Sequence, residues 1–363
     1  DQPRSRGLGD VYKRQETGKY VLQQRINAYE IMQMIGGRKG HPTFGVPGGV
    51  GKPLDEETRG KIEKLAEEAV EFGEFTVKIF KEVVLGNQRY VDLVKSEAYR
   101  AETYYMGLVD SKGMLNLVEG NIRVVSPDGK VFAEFPARQY LDHIAEHVEL
   151  WSYLKFPYLK KVGWKGLTVG KDSGIYRVGP LARFNVAEGI TTPKAQAAYE
   201  EMFDTLGGKP VHYTLAYHWA RAIEILYAAE RMLELARDPE ITGGDVWKTA
   251  EKPAKEDGVG VVEAPRGTLI HHYWADENAL ITKVNLIVAT THNNGPIAIS
   301  IRDAAKGLIK NGAISEGLLN MVEMAFRAYD PCIACATHTL EGRIGLPVEI
   351  RKKDGTLAAK LSL

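Results

Sequence analysis

Residues 212–237, which include the run YTLAYHWARAIEILYAAERMLELA, repeat apolar side chains at the spacing of a helix with one buried stripe. The same period recurs over 17–35, 55–85, 194–206, 297–308 and 315–328, and a further helix is expected around 137–152. Asp55 stands as an N-cap, with Glu56 and Glu57 in the first turn that follows. Two stretches break the pattern. Residues 104–135 read as an antiparallel meander of four runs (YYMGLV, MLNLVEG, IRVVS, VFAEF) separated by Ser111-Lys112-Gly113, Gly120-Asn121 and Pro127-Asp128-Gly129. Residues 259–291 return to strand-like runs, and one more, LPVEIRKKDG, lies near the C-terminus. No strand–helix–strand alternation supports a parallel sheet. The expected class is therefore α+β, mainly α. It would have a multi-helix core, a β appendage at about 104–135 and a few short strands near the C-terminal motifs.

The chain has 363 residues, 44% of them apolar, which suffices for a large core. Lysine plus arginine equals aspartate plus glutamate at 47 each, so charge gives no case for nucleic acid or an anionic membrane. No apolar stretch approaches a membrane span. Residues 1–15 (DQPRSRGLGDVYKRQ) lack an initiator Met, a secretory core and any period. They read as a non-native scar or a disordered arm ahead of a patterned segment that starts at about Glu16. Two cysteines without a secretory signal lead to the expectation of a reducing, cytoplasmic setting.

Those cysteines sit together in Asp330-Pro331-Cys332-Ile333-Ala334-Cys335-Ala336-Thr337-His338. The spacing lets one metal bridge both thiolates, or lets them act as a redox pair. Pro331 fixes the entry to Cys332 and keeps Asp330 out of the right-handed helical region. A thioredoxin-like pair would follow a strand in a βαβ unit, a zinc site would need two further ligands, and two inert buried thiols remain a third reading.

Other motifs are weaker taken singly. Glu263-Ala264-Pro265-Arg266-Gly267 puts an arginine in a turn between apolar runs, either exposed or facing an anion. His271-His272 would point to opposite faces of a strand. Val288-Ala289-Thr290-Thr291-His292-Asn293-Asn294 is a polar cluster ending a strand. His143-Ile144-Ala145-Glu146-His147 reads as surface helix, without the glutamate of a zinc protease motif. The glycine-rich loop from Gly36 to Gly51 fits no phosphate fingerprint and reads as packed structure, with Arg38 and His41 as candidate partners of a site.

Together these blocks resemble the large, catalytic subunit of nickel–iron hydrogenases. The resemblance rests on DPCIACATH at 330–338 and EAPRG at 263–267. GGRKGHPTFGVPGGV at 36–50, YRVGPLARFN at 176–185, YHWARAIEILYAAER at 217–231 and VNLIVATTHNN at 284–294 agree with it in order, so that it covers essentially residues 17–350. His338 and Ala289-Thr290-Thr291-His292-Asn293 look like the cytoplasmic group of methyl-viologen-reducing and NAD-linked enzymes. The resemblance implies a nickel–iron centre with carbon monoxide and cyanide on the iron, and a magnesium ion. Cys332 would be a terminal nickel ligand and proton acceptor, and Cys335 a bridge to iron. His338 would bind magnesium, with the Leu286 carbonyl as a weaker candidate. Arg266 would polarise dihydrogen, Asp330 would orient Arg266, and Thr290 and Pro265 would stand behind the ligands.

An iron–sulfur small subunit is implied, because this chain would hold no iron–sulfur cluster itself. Further electron-transfer subunits of flavin or heterodisulfide-reductase type, and a maturation protease that removes Thr339–Leu363, are implied as well. Residues 16–338 would form the hydrogenase domain. The family's other two nickel thiolates come from an N-terminal Cys-x-x-Cys that this sequence lacks, so it reads as a fragment. The alternative is a non-catalytic, hydrogenase-derived subunit of a respiratory-type complex.

Overall fold

The computed structural model describes residues 8–152, 154–249, 257–312, 314–332, 347–352 and 354–362. In chain order it contains α1 (Leu8–Gly36), β1 (Gly45–Val46), β2 (Gly49–Val50), α2 (Glu56–Phe80), α3 (Gln88–Val94), β3 (Tyr104–Val109), β4 (Asn121–Val125) and β5 (Val131–Phe135). Next come α4 (Tyr140–His143), β6 (Ile144–Val148), β7 (Lys155–Leu159), β8 (Tyr176–Arg177), α5 (Pro180–Val186), α6 (Pro193–Leu206) and α7 (Ala216–Arg237). The rest is β9 (Asp257–Ala264), β10 (Gly267–Ala275), β11 (Ile281–Ile287), α8 (Ala289–His292), α9 (Asn294–Leu308), α10 (Glu316–Arg327), β12 (Pro347–Arg351) and β13 (Leu357–Ser362). The class is α+β and mainly α, as the periodicity implies.

The chain divides into two units, residues 1–80 with 222–255 and residues 81–221 with 256–363. In the first, α1 and α2 pack with the later turns of α7 around Ile31, Ile62 and Ala236. Asp55 caps α2 as expected, its Oδ1 accepting from the Thr58 amide at 2.7 Å. A Cβ on Gly73 would lie 2.7 Å from the Leu226 backbone, so two helices cross here at glycine distance. Gly48 and Gly49 pack as tightly against Val246–Lys248, while Arg38 and His41 are exposed.

The second unit is built on a four-stranded sheet in the order β5-β4-β3-β8. All of β3 is buried, and Met106, Leu108, Ile122 and Val124 are fully covered. At about 1.5–3 kcal/mol for each large apolar side chain removed from water, this sheet anchors the unit rather than hanging from it as an appendage. MLNLVEG is not a strand. The Asp110 carboxylate accepts from the Lys112 and Met114 amides, and Asn116 accepts from Val118 and Glu119, so turn chemistry takes the run. The helix expected over 137–152 stops at His143, because Ile144–Val148 pairs antiparallel with Lys155–Leu159. His143 and His147 are therefore not helix neighbours. One stacks on Phe135 and the other on Trp164. The sheet β11-β10-β9 carries the candidate site at one of its turns.

Candidate metal centre

Strands β9 and β10 close on themselves with Ala264 opposite Gly267, leaving Pro265 and Arg266 as the two turn residues. Gly267 sits at φ +140°, and a Cβ there would fall 2.2 Å from the Val178 side chain. Gly179 has φ +98°, a conformation side chains rarely adopt, and a Cβ there would lie a tight 3.0 Å from the Arg266 carbonyl. The turn is thus pressed against the β8–α5 connection.

Arg183 holds it from beneath. This arginine on α5 donates to Glu263 Oε2 at 2.7 Å, the Ala264 carbonyl at 2.9 Å and the Pro265 carbonyl at 3.1 Å. Glu263 also accepts from the Leu108 amide and the Thr268 hydroxyl. Burial raises the Glu263 carboxyl, and Arg183 with these two donors pulls the other way. A charged, saturated pair is the arrangement that buried ions require.

Asp330, just beyond α10, has φ +51°, a left-handed conformation that aspartate tolerates better than most residues. The Arg266 Nε donates to the Asp330 carbonyl at 2.5 Å and lies 3.1 Å from its Oδ2. Two motifs 64 residues apart in sequence therefore meet. Two residues on, the Cys332 amide approaches Thr290 Oγ1 at 3.4 Å. Thr290 belongs to α8, which is fixed by its neighbours. Asn293 pairs with both Val178 backbone groups as a strand partner would, at 3.0 and 3.2 Å. The Tyr176 hydroxyl and His292 Nδ1 share a hydrogen bond at 2.6 Å, and burial pushes that imidazole down to about 3, keeping it neutral.

Beside this cluster opens a cavity of about 650 Å³. Pro265, Arg266, Thr290 and Cys332 line it, and Leu269, Ile297 and Phe326 supply apolar wall. Leu286 lies elsewhere, on β11 opposite His271, and does not line the cavity. Cys335 and His338 fall outside the described residues. His271 and His272 do face opposite ways. His272 is buried between Tyr140 and Asp257, whereas His271 meets Tyr273. From sequence alone Arg183 has no role of its own; its signals are its place in the block YRVGPLARFN and a basic residue inside an apolar run.

Residues 170–338 match the family of nickel-dependent hydrogenases. Over 98% of its length the chain is 47% identical to an iron-sulfur subunit of the F420-non-reducing hydrogenase from Archaeoglobus profundus, covering 73% of that protein. The chain belongs to the nickel-dependent hydrogenases. This hydrogenase chain is also 37% identical over 96% of its length to the beta subunit of the NAD-reducing hydrogenase HoxS of Cupriavidus necator, covering 71% of it. Its structure superposes on an NAD+-reducing [NiFe]-hydrogenase in the H2-reduced state with a TM-score of 0.82. That match has 35% identity and covers 91% of this chain and 71% of the other. Among the described residues, no helix of the hydrogenase chain is long and apolar enough to cross a membrane.

Proposed function

We propose that the Arg266 turn and the Asp330–Cys332 loop form the working face of a catalytic subunit that cleaves and forms dihydrogen at a nickel–iron centre. The observation that carries this reading is the contact of Arg266 with Asp330, two residues from Cys332, on the wall of one apolar cavity. The donor chemistry fits a soft metal. The Cys332 sulfur is half-buried on an apolar wall beside Arg266, and as a thiolate it would be a soft donor. Cys332 would hold nickel terminally, Cys335 would bridge to an iron carrying carbon monoxide and cyanide, and His338 with the Leu286 carbonyl would hold magnesium. Two of the four thiolates implied for such a centre are in this sequence. When bound, the centre supplies the soft, electron-accepting site at which dihydrogen is polarised.

The chain's own residues do the rest. Arg266 holds a permanent positive charge over the cavity, where low polarity strengthens its pull on electron density. The Asp330 carbonyl, which accepts from Nε, and the Asp330 carboxylate, as its ion-pair partner, keep that guanidinium in one direction. The Cys332 sulfur, as thiolate, receives the proton released on cleavage. Thr290 steadies the Cys332 backbone, and the Pro265 carbonyl passes the hold of Arg183 to the turn. Electrons would leave through an iron–sulfur small subunit toward flavin or heterodisulfide-reductase type partners, in a cytoplasmic complex. Removal of Thr339–Leu363 after His338 would accompany maturation.

The test is metal content and dihydrogen oxidation with an artificial dye, measured on the complex purified from its own host. Cys332→Ser is expected to lose nickel. Arg266→Lys is expected to keep nickel and lose about 100-fold in kcat. A Cys332→Ser complex with full nickel occupancy would sink the assignment. Intact mass checks the maturation step, and a mature chain retaining Leu363 would refute it.

A further inference from the structure

Arg177, at the end of β8, is fully buried. Its Nη1 donates to the His212 carbonyl at 3.2 Å and its Nη2 to the Thr214 hydroxyl at 3.1 Å, while its Nε finds no partner. None of its partners among the described residues is a carboxylate. A guanidinium keeps its charge when buried, so this placement is costly unless something else faces it. What faces it is the ring of Tyr329, whose centroid lies 5.7 Å from the guanidinium carbon. Cation–π attraction grows as water is excluded, and this pair is out of water on both sides.

Tyr329 is tied down by other contacts. Its hydroxyl meets Ser300 Oγ at 2.8 Å, and its ring packs against Tyr217 with centroids 4.9 Å apart. Tyr217 in turn donates to the Val178 carbonyl, beside the Arg266 turn. The residue after Tyr329 is Asp330, in its left-handed turn, and Cys332 follows. A left-handed non-glycine residue costs free energy and persists only where its surroundings hold it. The cation beneath Tyr329 is positioned to do this.

We propose that Arg177 is a positioning residue for the hydrogen reaction. Through the Tyr329 ring it fixes the turn at Asp330, and so sets the direction in which Asp330 holds Arg266 and the backbone presents Cys332. This rests on the roles proposed above for those three residues. Arg177 touches no reacting atom and acts only through the loop.

The experiment compares Arg177→Met, Arg177→Lys and Tyr329→Leu in the purified complex, reading amide hydrogen exchange over residues 328–332, nickel content and kcat against KM for dihydrogen. For Arg177→Met and Tyr329→Leu, exchange over 328–332 should quicken at least about 10-fold while exchange along β3 stays unchanged. Their kcat should fall about 10- to 100-fold with KM held. Arg177→Lys, which keeps the charge and loses the fork, should fall between. Arg177→Met and Tyr329→Leu combined in one chain should cost no more than either change alone. Unchanged exchange over 328–332, faster exchange with unchanged kcat, or fully additive losses would each overturn the proposal. Should Arg177→Met not accumulate as folded protein, Tyr329→Leu decides by the same criteria. Unaltered complex that contains no nickel marks failure of the metal-centre reading instead, and is seen before any variant is made.

Discussion

Arg183 and Glu263 meet at 2.7 Å with side chains only 2% and 0% exposed. One comes from a helix, the other from the strand that leads into the Arg266 turn, and each compensates the buried charge of the other. Glu263→Gln leaves the guanidinium uncompensated and should destabilise the second unit by about 3–5 kcal/mol. Replacing both residues with methionine should recover most of that loss. Thermal unfolding of the three variants checks this, and a double variant no more stable than Glu263→Gln would refute it.

Asp330→Asn keeps the shape of the side chain and removes its charge from Arg266. Nickel content should stay unchanged while kcat falls about 10- to 100-fold, the cost of a cation no longer held in one direction. Loss of nickel in this variant would place Asp330 among the metal-binding groups instead.

Gly267→Ala should be poorly tolerated. The added methyl would fall 2.2 Å from Val178 at a backbone angle that side chains rarely adopt. A loss of at least about 2 kcal/mol is expected, with Arg266 displaced. Val178→Ala in the same chain should restore part of it, which unfolding measurements on single and double variants would show.

His292 gives the fold an acid-sensitive element. Burial holds its imidazole at about 3, below its ordinary value near 6.5. Protons therefore bind the unfolded chain first, and stability should fall as pH drops from about 6.5 toward 3, with no such slope above 6.5. His212, pushed down to about 4 by burial and by Arg177, adds to the same window. Substituting His292 with Gln should flatten the slope of unfolding free energy between pH 6 and 4; an unaltered slope would refute its origin.

Local signals carry far in this sequence, and partnerships between distant segments do not show. The helices at 56–80 and 216–237 are legible because the Asp55 cap of the first and the apolar spacing of both are written in consecutive residues. The strand at 144–148 reads as helix, since its pairing with 155–159 decides its form and leaves no mark on its own spacing. MLNLVEG alternates like a strand but yields to Asp110 and Asn116, whose side chains claim the amides that a ladder would need. At the site, the Asp-Pro-Cys and Pro-Arg-Gly elements are visible as turn chemistry, and the family resemblance joins them. Arg183 and Arg177 are not visible, because a buried arginine is identified by what surrounds it, and those surroundings are assembled only by the fold.

The hairpin that carries Arg266 has two residues in its turn and no slack. An inserted residue there would swing the guanidinium off the cavity, and strand register, locked from Ala264–Gly267 to Asp257–Trp274, could not absorb the shift. At the other end of β10, the Asp276–Leu280 turn is longer and largely exposed, closed by backbone bonds at Asp276 and by its carboxylate. Length variation between relatives of this chain should therefore collect at 276–280 and spare 265–266, so that the sheet grows or shrinks only at the end away from its chemistry.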